Sequence, residues 1–431
     1  MTPVTLHLDA LAYGGNAVGR LQGKAVFVPG GAPGDEIRCR IVREKKRHAE
    51  GELEELLVAG PGRRTPPCPV FGDCGGCQWQ HLDYAVQSLW KERIFAETLR
   101  RQCGIDEGLL LPLVVAAEEW GYRSRVQFKC SQGEGKFVLG FYRRGSHVVI
   151  DVPRCAIADP RINAALDLFR HWLGGLPIPG RLLQVDMAVG DTGGVRVVVH
   201  LADEDPVPLA RYLTPLAREA GLALFLQYGR KATLHHCCGD ADLTIKIAAP
   251  EILLGYGPGG FAQVNLAQNR HLVQLVEEAA DLSGTERVLD LFCGMGNFSL
   301  PLARRAGEVI GVEGFAPSIV KARDNALGNG VGNAVFHACP AESAALRFRS
   351  AGGWDLALLD PPRAGAFEVM KDLVRARPRR ILYVSCDPPT LARDLMPLLQ
   401  GGYTLAWSRP IDLFPQTCHT ESLTLLTLGP R

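Results

Sequence analysis

No run of apolar residues in the chain reaches the ~18 that a membrane-spanning helix needs, and Met1 to Ala10 has neither the basic start nor the apolar core of an export signal. Both absences point to a cytoplasmic protein with no membrane partner. Charge of one sign is also missing: 47 Lys and Arg stand against 46 Asp and Glu, a net charge of +1. Any affinity for nucleic acid must therefore be local. Thirteen cysteines in 431 residues are an odd number in a chain without an export signal. That argues against disulfides and makes clustered cysteines candidate metal ligands or nucleophiles. Nothing marks a stable protein partner. The length exceeds one ordinary core, so two or three domains are expected.

What is present centres on Arg287 to Leu302. Val288 to Phe292 reads as a buried strand interrupted only by Asp290, and Gly294 and Gly296 then allow a tight turn and close approach to a ligand. A third glycine is lacking, and Asp290 would repel a dinucleotide pyrophosphate where bare N–H groups are needed. S-adenosylmethionine has no phosphate, and its ammonium suits a carboxylate. Glu313 closes the next apolar strand about 20 residues later, where ribose hydroxyls are gripped. Further strands are expected at Val309 to Glu313, Ala334 to His337, Leu356 to Asp360 and Ile381 to Ser385, alternating with helices. Such alternation is an α/β, doubly wound parallel sheet with ligands at the strands' carboxyl ends.

Three residues at those ends carry candidate chemistry. Asp360-Pro-Pro-Arg363 stops the fourth strand and leaves Asp360 beside the cofactor cleft. Cys386 tops the fifth strand just before a helix, a position that lowers a thiol's pKa and makes it nucleophilic. Glu421 ends the polar loop that begins at Asp412, where a general base facing Cys386 would be held rigidly.

Upstream, five short β segments between Val4 and Leu57 suggest a small barrel of the oligonucleotide-binding kind. Its basic residues Arg38, Arg40, Arg43, Lys45, Lys46 and Arg47 are a candidate RNA contact. Cys68, Cys74 and Cys77 then follow a C-x5-C-x2-C spacing, with Cys155 as the best fourth ligand; zinc and an iron–sulfur cluster both suit four thiolates. Asp83 to Arg101 reads as an amphipathic helix with Leu89, Ile94, Phe95 and Leu99 inward. Between Trp120 and Arg154, basic residues including Arg123, Arg125, Lys129, Lys136, Arg143 and Arg144 interleave with Trp120, Tyr122, Phe128, Phe137, Phe141 and Tyr142. Only Glu134 and Asp151 oppose them. That mixture suits single-stranded RNA, although a sheet with its aromatics turned inward would look similar.

With these residues in hand, the chain resembles the RNA uracil-5-methyltransferases over essentially its full length, most closely the large-subunit ribosomal RNA branch that carries a TRAM domain and a [4Fe-4S] cluster. The matching motifs are Phe261-Ala-Gln-Val-Asn265, the glycine turn, Asp360-Pro-Pro-Arg-Ala-Gly365, Ser385-Cys386 and Phe414 to Glu421. The resemblance implies a TRAM-like barrel over residues 1–62, a central α/β iron–sulfur domain over 63–250 holding the cluster on Cys68, Cys74, Cys77 and Cys155, and a class I, Rossmann-like methyltransferase domain over 251–431. It implies an S-adenosylmethionine site of Gln263, Phe292, Asn297, Glu313 and Asp360, a nucleophile at Cys386 and a base at Glu421. The substrate would be a uridine of 23S ribosomal RNA, flipped from its stack. Pro340 stands where the family often has asparagine, which removes one adenine-side contact. The alternatives are a transfer-RNA uracil-5-methyltransferase and an RNA-binding or assembly protein with a vestigial site.

Overall fold

The computed structural model describes residues 3–133, 136–176, 182–202, 205–229, 233–342, 344–348 and 353–429; Glu134, and the side chain of Lys136, lie outside the described residues. The chain opens with a closed barrel of β1 (Val4–Leu11), β2 (Ala17–Leu21), β3 (Lys24–Val28), β4 (Glu36–Glu44) and β5 (His48–Val58), in the order β1-β2-β3-β5-β4. Alternation along the strands sends Leu6, Leu8, Val26, Val28, Ile37 and Cys39 inward. The basic residues expected to meet RNA are largely neutralised across the sheet. Arg38 pairs with Glu55, Arg40 with Glu52 and Glu54, and Lys45 with Glu50. Those carboxylates sit one strand later in the chain, in β5.

Helix α1 (Tyr84–Cys103) follows. Its buried face is Gln87, Lys91, Phe95 and Leu99, whereas Leu89, expected inside, is exposed. The stripe is polar at its N-terminal end because Gln87 and Lys91 reach residues 412–416, described below. Phe95 and Leu99 share an apolar cluster with the C-terminal sheet.

A seven-stranded sheet comes next, in the order β12-β11-β10-β9-β6-β7-β8. Its strands are β6 (Arg125–Gly133), β7 (Lys136–Tyr142), β8 (Val149–Asp151), β9 (Leu182–Ala188), β10 (Arg196–Leu201), β11 (Ala223–Tyr228) and β12 (Thr233–Cys238). Helices α2 (Pro160–Gly174) and α3 (Val207–Glu219) pack on one face. The aromatics read as RNA contacts mostly belong to this core. Phe128 is fully buried and stacks on Phe141, and Trp120, Tyr122 and Phe137 pack against the same cluster. Tyr142 alone of the six is exposed.

A hairpin of β13 (Leu243–Ile247) and β14 (Ile252–Tyr256) leads through a glycine-rich loop to α4 (Leu266–Ala280), capped by Asn265. The last sheet comprises β15 (Arg287–Leu291), β16 (Glu308–Glu313), β17 (Ala334–Ala338), β18 (Leu356–Leu359), β19 (Arg380–Ser385), β20 (Tyr403–Ile411) and β21 (Glu421–Leu428). Its order is β17-β16-β15-β18-β19-β21-β20, with the first five parallel and the final hairpin antiparallel. Helices α5 (Ser299–Ala303), α6 (Ala316–Gly328), α7 (Ala344–Arg347), α8 (Phe367–Ala376) and α9 (Pro388–Gln400) connect the strands. Strand order reverses between β15 and β18, and a ligand crevice opens outside the carboxyl ends of such a pair. Asp290 and Asp360 stand there. Among the described residues, no helix is long and apolar enough to cross a membrane.

Candidate active site

The turn after β15 is shaped by backbone that only a few residues tolerate. Phe292 has φ 65°, and Gly294 and Gly296 follow at φ 54° and 97°, so the chain bends back and Cys293 N–H donates to Val312 at 3.1 Å. Asp290 is fully buried below this turn. Its Oδ2 accepts from Ser299 at 2.5 Å and its Oδ1 has no partner. Burial pushes its carboxyl up to about 7 against the pull of Ser299, and the charges of Asp360 and Glu313 add to the rise. Asp360, just past β18, is likewise pushed up to about 7 by burial, with a hydrogen bond from the buried Gln263 amide opposing the rise. Glu313 ends β16 and accepts from Phe315 N–H at 2.7 Å. No lysine or arginine among the described residues forms an ion pair with any of these three carboxylates. Three acids within electrostatic reach of one another, with one bare oxygen on Asp290, suit a cationic ligand.

The other expected cofactor residues are less open. Phe292 packs partly against the core below it. Asn297 spends both ends of its amide on Asn269 of α4, at 2.8 and 3.0 Å, so it braces the turn. Pro340 is exposed, one residue after Cys339, whose N–H donates to the Glu313 carbonyl at 3.1 Å.

Cys386 follows β19, and Asp387 caps α9 by accepting from Thr390. The helix N-terminus is where the sequence put it, but the thiol's pKa is not lowered. Burial above all, with the charges of Glu421, Asp360 and Asp387, raises it to about 12. Burial and acidic neighbours together outweigh a single helix end. Glu421 opens β21, opposite Ile411 of β20. It is buried, its Oε1 has no partner, and burial together with Asp360 holds its carboxyl well above the ordinary range. The fold thus gathers residues 360, 386 and 421 within electrostatic reach of one another.

The loop that carries Glu421 is held by the N-terminal half of the chain. Lys91 Nζ meets Asp412 at 2.6 Å and the Phe414 carbonyl at 3.0 Å, with both charged side chains fully buried. Gln416, at φ 70°, exchanges two 2.9 Å hydrogen bonds with Gln87.

Cys386 opens on a cavity of about 450 Å³ whose wall also includes Arg123, Gln127, Arg363, His419, Cys68, Cys74, Cys77 and Cys155. The cysteine quartet, remote from Cys386 in sequence, therefore shares its cavity. Burial raises the Cys74 thiol to about 11 and the Cys77 thiol to about 12, and each also feels the charge of the other cysteines. Such a donor set fits a multivalent cationic centre, which would relieve that mutual repulsion. The four do not close into a cage: among the described residues, no group of three or more Cys, His, Asp or Glu side chains is arranged to hold a metal ion.

Residues 111–428 match the family described as tRNA (Uracil-5-)-methyltransferase, and residues 4–53 match the TRAM domain. The chain belongs to the RNA uracil-5-methyltransferase family. Relatives within it include proteins named 23S rRNA (uracil(1939)-C(5))-methyltransferase RlmD. That from Alkalilimnicola ehrlichii is 38% identical over 98% of this chain and 96% of its own length, and that from Klebsiella pneumoniae is 37% identical over 98% and 95%. Among solved structures, the Pyrococcus abyssi tRNA (uracil-54, C5)-methyltransferase in complex with S-adenosyl-L-homocysteine superposes with a TM-score of 0.75 at 23% identity, covering 98% of this chain and all of that one. The fold is therefore the S-adenosylmethionine-dependent methyltransferase fold with an added N-terminal barrel. In this uracil-5-methyltransferase, sequence reading missed Lys91 and Gln87. Their signal was a lysine and a glutamine four apart on the helix stripe that should have been apolar.

Proposed function

We propose that the enzyme methylates C5 of a uridine in 23S ribosomal RNA, using S-adenosylmethionine as the methyl donor. The convergence of Cys386, Glu421 and Asp360 on one buried site carries the reading. Gln263, Phe292, Glu313 and Asp360 would line the donor's site, with Asn297 steadying the turn. Domains of about 1–62, 63–250 and 251–431 would divide RNA capture from catalysis. A ribosomal RNA target would have the protein act in the cytoplasm. The relatives named for 23S rRNA are 38% and 37% identical over nearly the whole chain, against 23% for the tRNA enzyme, which favours this target over transfer RNA.

Uracil C5 is too weakly nucleophilic to take a methyl group unaided. Addition of the Cys386 thiolate to C6 forms an Sγ–C6 bond and moves the C5=C6 electron pair into an enolate at O4. C5 then attacks the methyl carbon and the methyl–sulfonium bond breaks. Glu421 removes the C5 proton, and the returning electrons expel Cys386. The uridine must leave its stack first, because neither face of C6 is open in a stacked ring. Burial, and after it the acidic neighbours, raises the pKa of both thiol and base. A cationic donor near Asp360 would favour their ionised forms, and the Arg363 and Arg123 guanidinium groups line the cavity of Cys386. Cys68, Cys74, Cys77 and Cys155 would hold a [4Fe-4S] cluster, which when bound supplies the cationic centre that four thiolates need.

The test separates the two catalytic roles. Cys386→Ala should form no covalent RNA complex and transfer no methyl group. Glu421→Gln should add and methylate but fail to eliminate, so an RNA adduct carrying the labelled methyl group accumulates on a denaturing gel. Normal turnover by Glu421→Gln would remove Glu421 as the base.

A further inference from the structure

The turn between β1 and β2 places the N-terminal barrel directly on the catalytic residues. Gly14 and Gly15 take φ 89° and 90°, and a Cβ at Gly15 would lie 3.0 Å from Cys418 Cβ and 3.1 Å from Gln78 Cβ. The Gly15 carbonyl accepts from the Trp79 indole at 2.9 Å, and Asn16 accepts from Arg144 at 2.9 Å. This seated turn carries Tyr13, whose hydroxyl donates to Asp387 Oδ1. Arg363 completes the group, its Nε 3.3 Å from the same oxygen and its Nη2 3.4 Å from the Tyr13 hydroxyl. The other Asp387 oxygen belongs to α9, accepting from Thr390 N–H at 3.2 Å and Thr390 Oγ1 at 2.7 Å. Asp387 is thus held from two sides, by the helix it caps and by the barrel. Tyr13, Arg363, Asp387 and Cys386 all line a second cavity of about 260 Å³.

We infer that Tyr13 is a positioning residue for Cys386: its hydroxyl, delivered by the barrel, fixes the Asp387 carboxylate together with Arg363 and so orients the thiol one residue away. The inference rests on Cys386 being the nucleophile. It gives the barrel a part in the chemical step besides any part in RNA capture. Freed from Tyr13, Asp387 can rotate on its remaining contacts, and the 386–387 peptide moves with it. Small displacements of a nucleophile carry large rate costs.

Tyr13→Phe in the full-length protein keeps the ring and removes only the hydroxyl. With unmodified 23S ribosomal RNA as substrate, kcat and the rate of adduct formation should fall on the order of ten-fold, while KM for RNA stays within about two-fold. Asp387→Ala removes the acceptor and should slow the enzyme by itself, and adding Tyr13→Phe to it should cost less than about two-fold more, because the interaction is already gone. A raised KM with unchanged kcat would make Tyr13 an RNA contact and overturn the inference. An equal loss in the Asp387→Ala background, or no loss at all, would overturn it as well. Adduct formation by Cys386→Ala, run in parallel, would instead overturn the nucleophile assignment on which the inference rests.

Discussion

Binding of S-adenosylmethionine should release protons near neutrality, and its affinity should climb with pH. Asp290 and Asp360 are both pushed up to about 7, so near pH 7 each is about half protonated. A cationic ligand favours their ionised forms and returns them toward the ordinary carboxylate range. The sign follows: the complex binds fewer protons than the free protein, so affinity rises up to the free-state pKa values and flattens above them. One such group weakens binding about ten-fold at pH 6 relative to pH 8, and two independent groups about a hundred-fold. The Asp360 charge helps to raise Asp290, so the pair titrates together and the slope lies between these limits. Calorimetric titrations in buffers of different ionisation enthalpy measure affinity and released protons together. S-adenosylhomocysteine, without the sulfonium charge, should show a shallower profile, and Asp290→Asn should release fewer protons. Flat affinity from about pH 6 to about pH 8, or proton uptake on binding, would refute the three-acid account of the cleft.

Three further outcomes are expected. Arg123 lines the cavity of Cys386, whereas Arg125 is spent on the Gly260 carbonyl at 3.1 Å and on Asp186 at 3.4 Å. Arg123→Gln should therefore weaken RNA binding and lower its salt slope by about one, and Arg125→Gln should leave that slope alone and lower the melting temperature; equal slopes in filter-binding titrations would reject the division. Lys91→Met leaves Asp412 buried without its charge partner and should cost about 3–5 kcal/mol in denaturant unfolding. Anaerobically purified protein should hold about four iron and four sulfide per chain, and Cys74→Ser should lose them along with RNA adduct formation while still binding S-adenosylmethionine; stoichiometric zinc without sulfide would exclude the cluster.

Elements whose pattern is local were legible in the chain. Strands β16 to β19 lie within a residue of their expected bounds, because apolar runs ended by acids, glycines or Pro-Pro can be buried in only one way. The same local logic marked Asp290 inside its strand, Asp360 and Cys386 just past theirs, and Glu421 where the last strand begins. Properties that depend on neighbours distant in sequence were decided only by the tertiary structure. The barrel's arginines looked available until β5 laid its glutamates beside them. The aromatics of 120–142 looked ready to stack on bases until α2 and the sheet enclosed most of them. Cys386 looked activated by its helix until the fold buried it and set Glu421 and Asp360 against it. Lys91 with Asp412, and Tyr13 with Asp387, lie 321 and 374 residues apart, and no periodicity joins such pairs. A side chain's charge state and freedom are set by what packs on it, and packing between distant segments exists only once the chain has folded.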